Sequence, residues 1–511
     1  MRKPALKLMV LAWALSSALA FAESLEPDKA WPFRWGGAAS SNMANGATNL
    51  PGDLENVASL WELPLGQHQY AIPTVDRGRL YLCADDTGVK RAGYKPTGGG
   101  VLMCVEQATG KLIWQMPCPR YFEGVKPPYH FDQWDCGICS GPVVEGDRVY
   151  VIGNRGEILC LDREGQGNCN EGPVLDELEY MGVTEAPDNK LCSTDGDIIW
   201  RYNLIRELDV VLHDVCASTL LVQGDLIYAC TSNGIDDRHD KVPRPEAPTL
   251  IVLNKKTGRL VARDNENIGQ RMFHCNWSSP ARGWVNGKLL VFFGGGDGIL
   301  YAFEPPRPDA QQTQILKKVW SFDCNPPGYR SRDGQLVRYS THSKNSPEGP
   351  SEIIGTPVFY HGRVYVAIGQ SPLHGTGQGQ LCCVEAATGK KIWCSGLVDR
   401  TLATAAIVNG LLYIPDYTGN LHCVDALTGE RCWTHPLGAK GWSASSFVAD
   451  GKVYASTEAN VLWVLKAGRE KEVLSKTRLK STATTLTAAD GVLYVPTQKS
   501  LLAIQAKSGR N

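Results

Sequence analysis

The stretch Gly410-Leu-Leu-Tyr-Ile-Pro-Asp-Tyr-Thr-Gly-Asn-Leu-His-Cys-Val-Asp-Ala-Leu-Thr-Gly-Glu-Arg-Cys-Trp433 decides the fold. A β-branched and aromatic run leaves a glycine, reaches the turn Tyr417-Thr418-Gly419-Asn420 and returns as a second apolar run, which is a hairpin signature. Gly429 then offers a position able to take positive φ, so a third strand folds back and ends on Trp433. The unit before it repeats the pattern from Gly362 through Cys383 and Gly389 to Trp393. Further copies start at Gly78, Gly146, Gly224, Gly451 and Gly491, and a degenerate one at Gly287 brings the total to eight.

A further apolar run precedes each unit, as in Val358-Phe359-Tyr360, giving four short strands per repeat. Bare spacings of 41 residues (Gly410 to Gly451) and 40 residues (Gly451 to Gly491) fit a propeller blade. The expected fold is therefore an all-β, eight-bladed β-propeller. Its last unit breaks off at Lys507-Ser508-Gly509, before the strand that should end in Trp. Val57-Ala58-Ser59-Leu60-Trp61-Glu62-Leu63 supplies that strand, so an N-terminal strand is expected to close the eighth blade and remove an open sheet edge.

The 511 residues then divide into a signal peptide (1–22), an N-terminal extension (23–56) and the propeller (57–511). Lys3 and Lys7, the apolar run Leu8 to Leu19 and the small-residue end at Ala22 have the pattern of a secretory leader. A periplasmic or secreted protein is expected. No segment is long and apolar enough to span a bilayer. A net charge of -1, with Lys and Arg scattered, argues against a nucleic-acid partner.

Seventeen cysteines invite a disulfide reading, but Cys104, Cys160, Cys383 and Cys423 occupy one equivalent strand position. With Cys83 and Cys230 in the preceding strand, they read as small buried hydrophobes. Loop cysteines are the candidates for bridges, Cys169 to Cys192 among them, and Cys136 with Cys139 reads as a local disulfide or two free thiols.

Insertions rich in Pro, Gly and charge interrupt the first five units at 85–100, 162–200, 235–248, 305–318, 325–350 and 371–379. Loops on a rigid frame are where binding concentrates, so they are expected to mark one working face. Just before each unit come small residues, such as Ser140-Gly141, Ser278-Ser279 and Ala403-Thr404, expected in the innermost strands around a crowded axis. Upstream of these the chain is chemically richer, and Glu352 and Lys480 also fall there. The candidates for a ligand-binding funnel are His130, Asp132, Trp134, Asp135, His213, Asp214, His274, Asn276, Trp277, Arg400, Lys440 and Trp442.

The Leu-x-Cys-Val-Asp-Ala-x-Thr-Gly-x-x-x-Trp unit resembles the tryptophan-docking repeat of pyrroloquinoline quinone (PQQ)-like propellers. These include quinoprotein dehydrogenases and the BamB-type propeller of the outer-membrane assembly machinery. The resemblance implies the fold across nearly the whole mature chain; for the dehydrogenases it implies PQQ on the axis, stacked on a Trp and bridged to Ca²⁺, with an Asp as base. Asp132, Asp135, Asp214 and Asn276 are the tempting oxygen donors here, and Trp277 or Trp442 the planar platform. No motif carries the family's catalytic roles onto them. The family's vicinal disulfide is disfavoured at Cys382-Cys383, because adjacent strand residues point to opposite faces.

Three functions follow. The first is an exported binding or scaffold module that meets a protein or small-molecule ligand at its loop-rich face, with no catalytic constellation identified. The second is a PQQ- and Ca²⁺-dependent dehydrogenase. The third is a hydrolase or lyase with His213, His274 and Asp135 as acid and base candidates.

Overall fold

In the computed structural model, residues 41–55, 57–120, 134–170, 172–183, 190–272, 274–329, 331–336, 351–369, 378–440 and 444–506 are described. Eight antiparallel sheets follow one another along the chain, each built on four strands. Blade 6, the unit that decided the reading, consists of Ala406–Val408, Leu411–Pro415, Asn420–Asp425 and Arg431–Pro436. The strand Ser59–Pro64 pairs antiparallel with Ser500–Gln505 and completes the eighth blade, as expected. Blade 2 is split as read, its third strand ending at Asp162 and its fourth beginning at Ile198.

The repeat motif is a transverse row across six of the blades, with Ala262 and Ser475 in place of the tryptophan in blades 3 and 7. In blade 6, Tyr413 lies opposite Cys423, which lies opposite Trp433, and the two rings meet 5.9 Å apart over the small cysteine. The same contact recurs between Tyr81 and Trp114 (6.2 Å), Tyr365 and Trp393 (6.0 Å), and Phe292 and Trp320 (5.8 Å) in the degenerate blade. Cysteine suits the middle position because it is small and apolar, and Cys104, Cys160, Cys383 and Cys423 are all buried.

The same tryptophans join neighbouring blades. Trp61, Trp320 and Trp433 donate their indole N–H to Gln107, Ala386 and Gly468 carbonyls at 3.1, 2.9 and 2.9 Å, each in the next blade. The turn glycine lies beneath the ring: Gly110, at φ +70°, would place a Cβ 2.7 Å from Trp61. Positive φ and ring contact together leave room only for glycine.

At the hub the small residues lie immediately before the innermost strands rather than within them, and crowding is only part of the reason. Their hydroxyls accept backbone N–H groups from the adjacent blade: Thr404 Oγ1 from Thr356 (3.0 Å), Ser445 Oγ from Thr404 (2.9 Å) and Thr485 Oγ1 from Ser445 (3.0 Å). Gly141 to Thr219 and Thr219 to Ser279 repeat the link on the other side. Each such bond contributes about 1 kcal/mol.

Strand alternation places the blade-to-blade connections and the loops between second and third strands at one end of the ring, here called the mouth. The loops at 85–100 and 235–248 belong there. The insertions at 162–200 and 305–318 leave from the opposite end, which corrects the single-face expectation. The first runs along the outer strand of blade 1, where Gln115 N donates to Thr194 O (2.9 Å) and Arg91 holds Asp195 at 2.7 and 3.0 Å. From the second, Gln314–Ile315 pairs with the outer strand of blade 3. Both cover outer edges that would otherwise be open to strand addition. The segment 41–55 reaches the innermost strands of blades 6 to 8: Val448 N donates to Met43 O (2.9 Å), and Asn45 Nδ2 to Ala488 O (2.9 Å).

The disulfide lies where it was not sought. Cys382 is bonded to Cys394, its cross-strand neighbour, and not to Cys383. Cys169 and Cys192 are exposed and not bridged to each other, and Cys136 and Cys139 are likewise not joined by a disulfide.

Candidate functional site

The site forms at the mouth where blades 2 to 5 meet. His213 and Asp214 lie on the connection from blade 2 to blade 3, and His274 through Trp277 on the connection from blade 3 to blade 4. Glu352 lies on the one from blade 4 to blade 5, and His239 comes from the insertion in blade 3. Backbone pairing fixes the first connection: His213 N donates to Ser232 O (3.4 Å) and Gly234 N to Val211 O (2.9 Å). A Cβ at Gly234 would lie 2.4 Å from that of His213, so the close approach requires glycine.

Three imidazoles meet there. The ring of His213 lies 4.4 Å from that of His274 and 4.9 Å from that of His239, edge-on in both cases, and His239 stacks on His274 at 5.5 Å. One ring nitrogen from each lies within 4.8 Å of the others. His213 and His274 are buried and His239 half-buried. Trp277 walls the group, 5.4 Å from His274 and 6.2 Å from His213. Asp214 brings a carboxylate oxygen to 3.7 Å from His213 Nε2.

Behind His274 lies Glu352, 2% exposed, with Oε1 3.5 Å from His274 Nδ1. Its Oε2 accepts from Cys275 N (3.3 Å) and faces Cys275 Sγ (3.6 Å). Burial pushes the Glu352 carboxyl up to about 8, and burial holds the Cys275 thiol well above its ordinary range.

Asn276 does not face a ligand. Its Oδ1 accepts from Gly296 N and its Nδ2 donates to Asn233 O, both at 2.8 Å, which clamps blades 3 and 4 together. Arg400 and Lys440 form a separate group, each 4.9 Å from the centre of the Tyr417 ring. Burial lowers the pKa of Arg400. Trp134 is 62% exposed and Asp135 pairs with Arg120 at 2.7 Å, near blade 1. His130, Asp132 and Trp442 lie outside the described residues. Of the expected residues, the structure brings His213, Asp214, His274 and Trp277 together, and it adds His239 from an insertion that the sequence marked only as a loop.

A cleft of about 390 Å³ lies at the rim of blade 6, lined by Asp399, Asp416, His422 and Thr434. There His422 is held between Asp416 Oδ2 (2.7 Å) and Thr434 Oγ1 (3.0 Å). Asp416 also accepts from Thr418 and Asn420, so this chain of hydrogen bonds shapes a turn.

Comparison with known proteins finds similarity of two kinds, in sequence over the C-terminal part and in fold over most of the chain. A family model described as outer membrane protein assembly factor BamB matches residues 317–436 and 417–511. That match covers the C-terminal part of the chain, 317–511, which is similar to the PQQ-like, BamB-like repeats, and the chain as a whole has the β-propeller fold. Among solved structures it is similar to BamB from Moraxella catarrhalis (15% identity, 89% of this chain and 99% of that one, TM-score 0.53). It is also similar to the quinohemoprotein alcohol dehydrogenase from Comamonas testosteroni (12% identity, 96% and 82%, TM-score 0.58). A europium-containing methanol dehydrogenase gives 12% identity, 92% and 90%, and a TM-score of 0.54. At these identities the likeness concerns the fold. Among curated proteins none matches this sequence.

The quinone and Ca²⁺ of dehydrogenases on this fold do not fit the described residues of this propeller. A hard cation needs several convergent oxygens. Of the four expected donors, Asp132 lies outside the described residues, Asp135 faces Arg120, Asn276 is committed to backbone, and Asp214 stands beside histidine. Among the described residues, the groups able to hold an ion are His213 with His239 and His274, and His274 with Cys275 and Glu352, which are rich in nitrogen and sulfur rather than oxygen.

Proposed function

We propose that this protein is an exported binding module whose mouth end takes up a protein or small ligand, rather than a quinone-dependent dehydrogenase. One observation carries the reading: the mouth gathers imidazoles, an indole and one buried carboxyl, while the oxygen donors for a Ca²⁺-bridged quinone are dispersed or already bonded. Trp277 offers a half-buried aromatic wall beside a polar cluster, the mixture typical of small-ligand pockets. Export is supported by the leader-like Met1 to Ala22 pattern and by the Cys382–Cys394 disulfide, a bond that persists in oxidising compartments.

Titration of the purified protein with PQQ and Ca²⁺, followed by tryptophan fluorescence and dye-linked alcohol oxidation, tests this choice. The expected result is neither saturable quenching nor turnover. Saturable quenching accompanied by alcohol oxidation would overturn it in favour of the dehydrogenase.

A further inference from the structure

From the convergence of three imidazoles at the mouth we infer that His213, His239 and His274 form a binding site for a divalent transition metal ion, of which Zn²⁺ is the chemical type. The site stands whether or not the mouth also binds a protein, so the two readings fail separately.

The second ring nitrogen of His213 and of His239 supports the assignment. His213 Nδ1 lies 3.0 Å from Ile235 O, and His239 Nδ1 lies 3.3 Å from Asp237 O. A carbonyl only accepts, so these bonds place a proton on Nδ1, and in the neutral imidazole the lone pair is then on Nε2. His274 Nδ1 faces Glu352 Oε1 at 3.5 Å. Metal-binding histidines are oriented in this way, one nitrogen on a carbonyl and the other on the ion, as His213 and His239 are here. Asp214 places a carboxylate oxygen 3.7 Å from His213 Nε2, beside the three rings.

Ligand type selects the ion. Imidazole suits Zn²⁺, Cu²⁺ and Ni²⁺, whereas Ca²⁺ and Mg²⁺ demand oxygen. Three histidines around Zn²⁺ at about 2.0–2.1 Å stand about 3.4 Å from one another. The observed spread of at most 4.8 Å therefore closes by about 1.4 Å or less. The loop of His239 can supply that movement, since this ring is the least buried of the three. Three protein nitrogens leave a fourth position for Asp214, water or a ligand.

Backbone strain gives a further sign. His239 sits at φ +59° and Asp214 at φ +54°, left-handed conformations that cost an L-residue other than glycine about 1 kcal/mol and gather at functional sites.

The test uses the full-length protein, stripped with chelator and dialysed against Zn²⁺, with bound metal measured by mass spectrometry and Co²⁺ binding followed by its visible absorption. Wild type should bind one equivalent and, with Co²⁺, show the intense bands of a tetrahedral nitrogen-rich site, neither displaced by excess Ca²⁺. His239→Asn keeps a residue that tolerates positive φ and should fold normally while its Zn²⁺ affinity falls by more than about 100-fold, beyond the loss typical of an outer-shell partner. His274→Gln should do the same, with its fold checked by circular dichroism. Absence of Zn²⁺ and Co²⁺ uptake by wild type, or equal uptake by a folded His239→Asn protein, would overturn the assignment.

Discussion

Trp61 donates its indole N–H to the carbonyl of Gln107 at 3.1 Å, so a residue of the closing strand holds the eighth blade to the first. The ring also rests on Gly110 and lies 6.1 Å from Tyr494 of its own blade. Trp61→Ala removes the bond and the ring together, and should cost about 3 kcal/mol, near the lower end for a large core truncation because Trp61 is half-buried. Chemical denaturation of both proteins checks the value. Deleting Ser59–Pro64 should have the larger effect, since it exposes the edge of Ser500–Gln505; light scattering should then show association absent from wild type.

The Cys382–Cys394 bond crosses the outer pair of strands in blade 5. It closes a short loop of chain, for which the loss on reduction should be about 2–3 kcal/mol. Cys394→Ser should lower the melting temperature under oxidising conditions and abolish the response to reductant that wild type shows. Alkylation of the unfolded chain followed by mass spectrometry gives an independent count: two further thiols should react after reduction. In the native protein Cys169 and Cys192, both exposed, should be modified well before the buried cysteines.

Asp416 illustrates the acid limb of stability. Burial raises its pKa, but hydrogen bonds from His422 and Thr418 outweigh that and leave it below its ordinary value. A carboxyl depressed in the folded state contributes stability that is complete above its unfolded value of about 3.9 and is lost as pH falls through the folded value. Asp416→Asn should therefore destabilise by about 2 kcal/mol at neutral pH. The gap to wild type should close on acidification below about pH 4. Melting temperatures between neutral and strongly acidic pH will show whether the two curves converge.

How much of this was readable before coordinates depends on which residues repeat. The Tyr413, Cys423 and Trp433 row recurs, in full or in part, because the blades must solve the same packing problem, so blade count, the split in blade 2 and closure by Trp61 all followed from it. The disulfide was equally accessible. Once Cys383 lies opposite Trp393, the register places Cys382 opposite Cys394, its cross-strand partner, rather than beside Cys383 along the strand. His239 had no such signal. Its position depends on how one non-repeating insertion folds over the mouth, and no periodicity records that. The insertions at 162–200 and 305–318 misled for the same reason, because length and polarity do not distinguish a binding loop from a cover over a sheet edge.

His239 separates stability from function most cleanly. The left-handed backbone at φ +59° favours Asn over His, and the ring is only half-buried, so His239→Asn should leave the metal-free protein as stable as wild type or slightly more so. Zn²⁺ should then divide the two. An ion that binds only the folded state stabilises it by about 2.7 kcal/mol at 100 times its dissociation constant. Wild type should melt higher with Zn²⁺ and return to its baseline with chelator, and His239→Asn should show neither change. A metal-free His239→Asn protein much less stable than wild type would instead assign this histidine to packing, because only a structural role makes its loss costly without the ion.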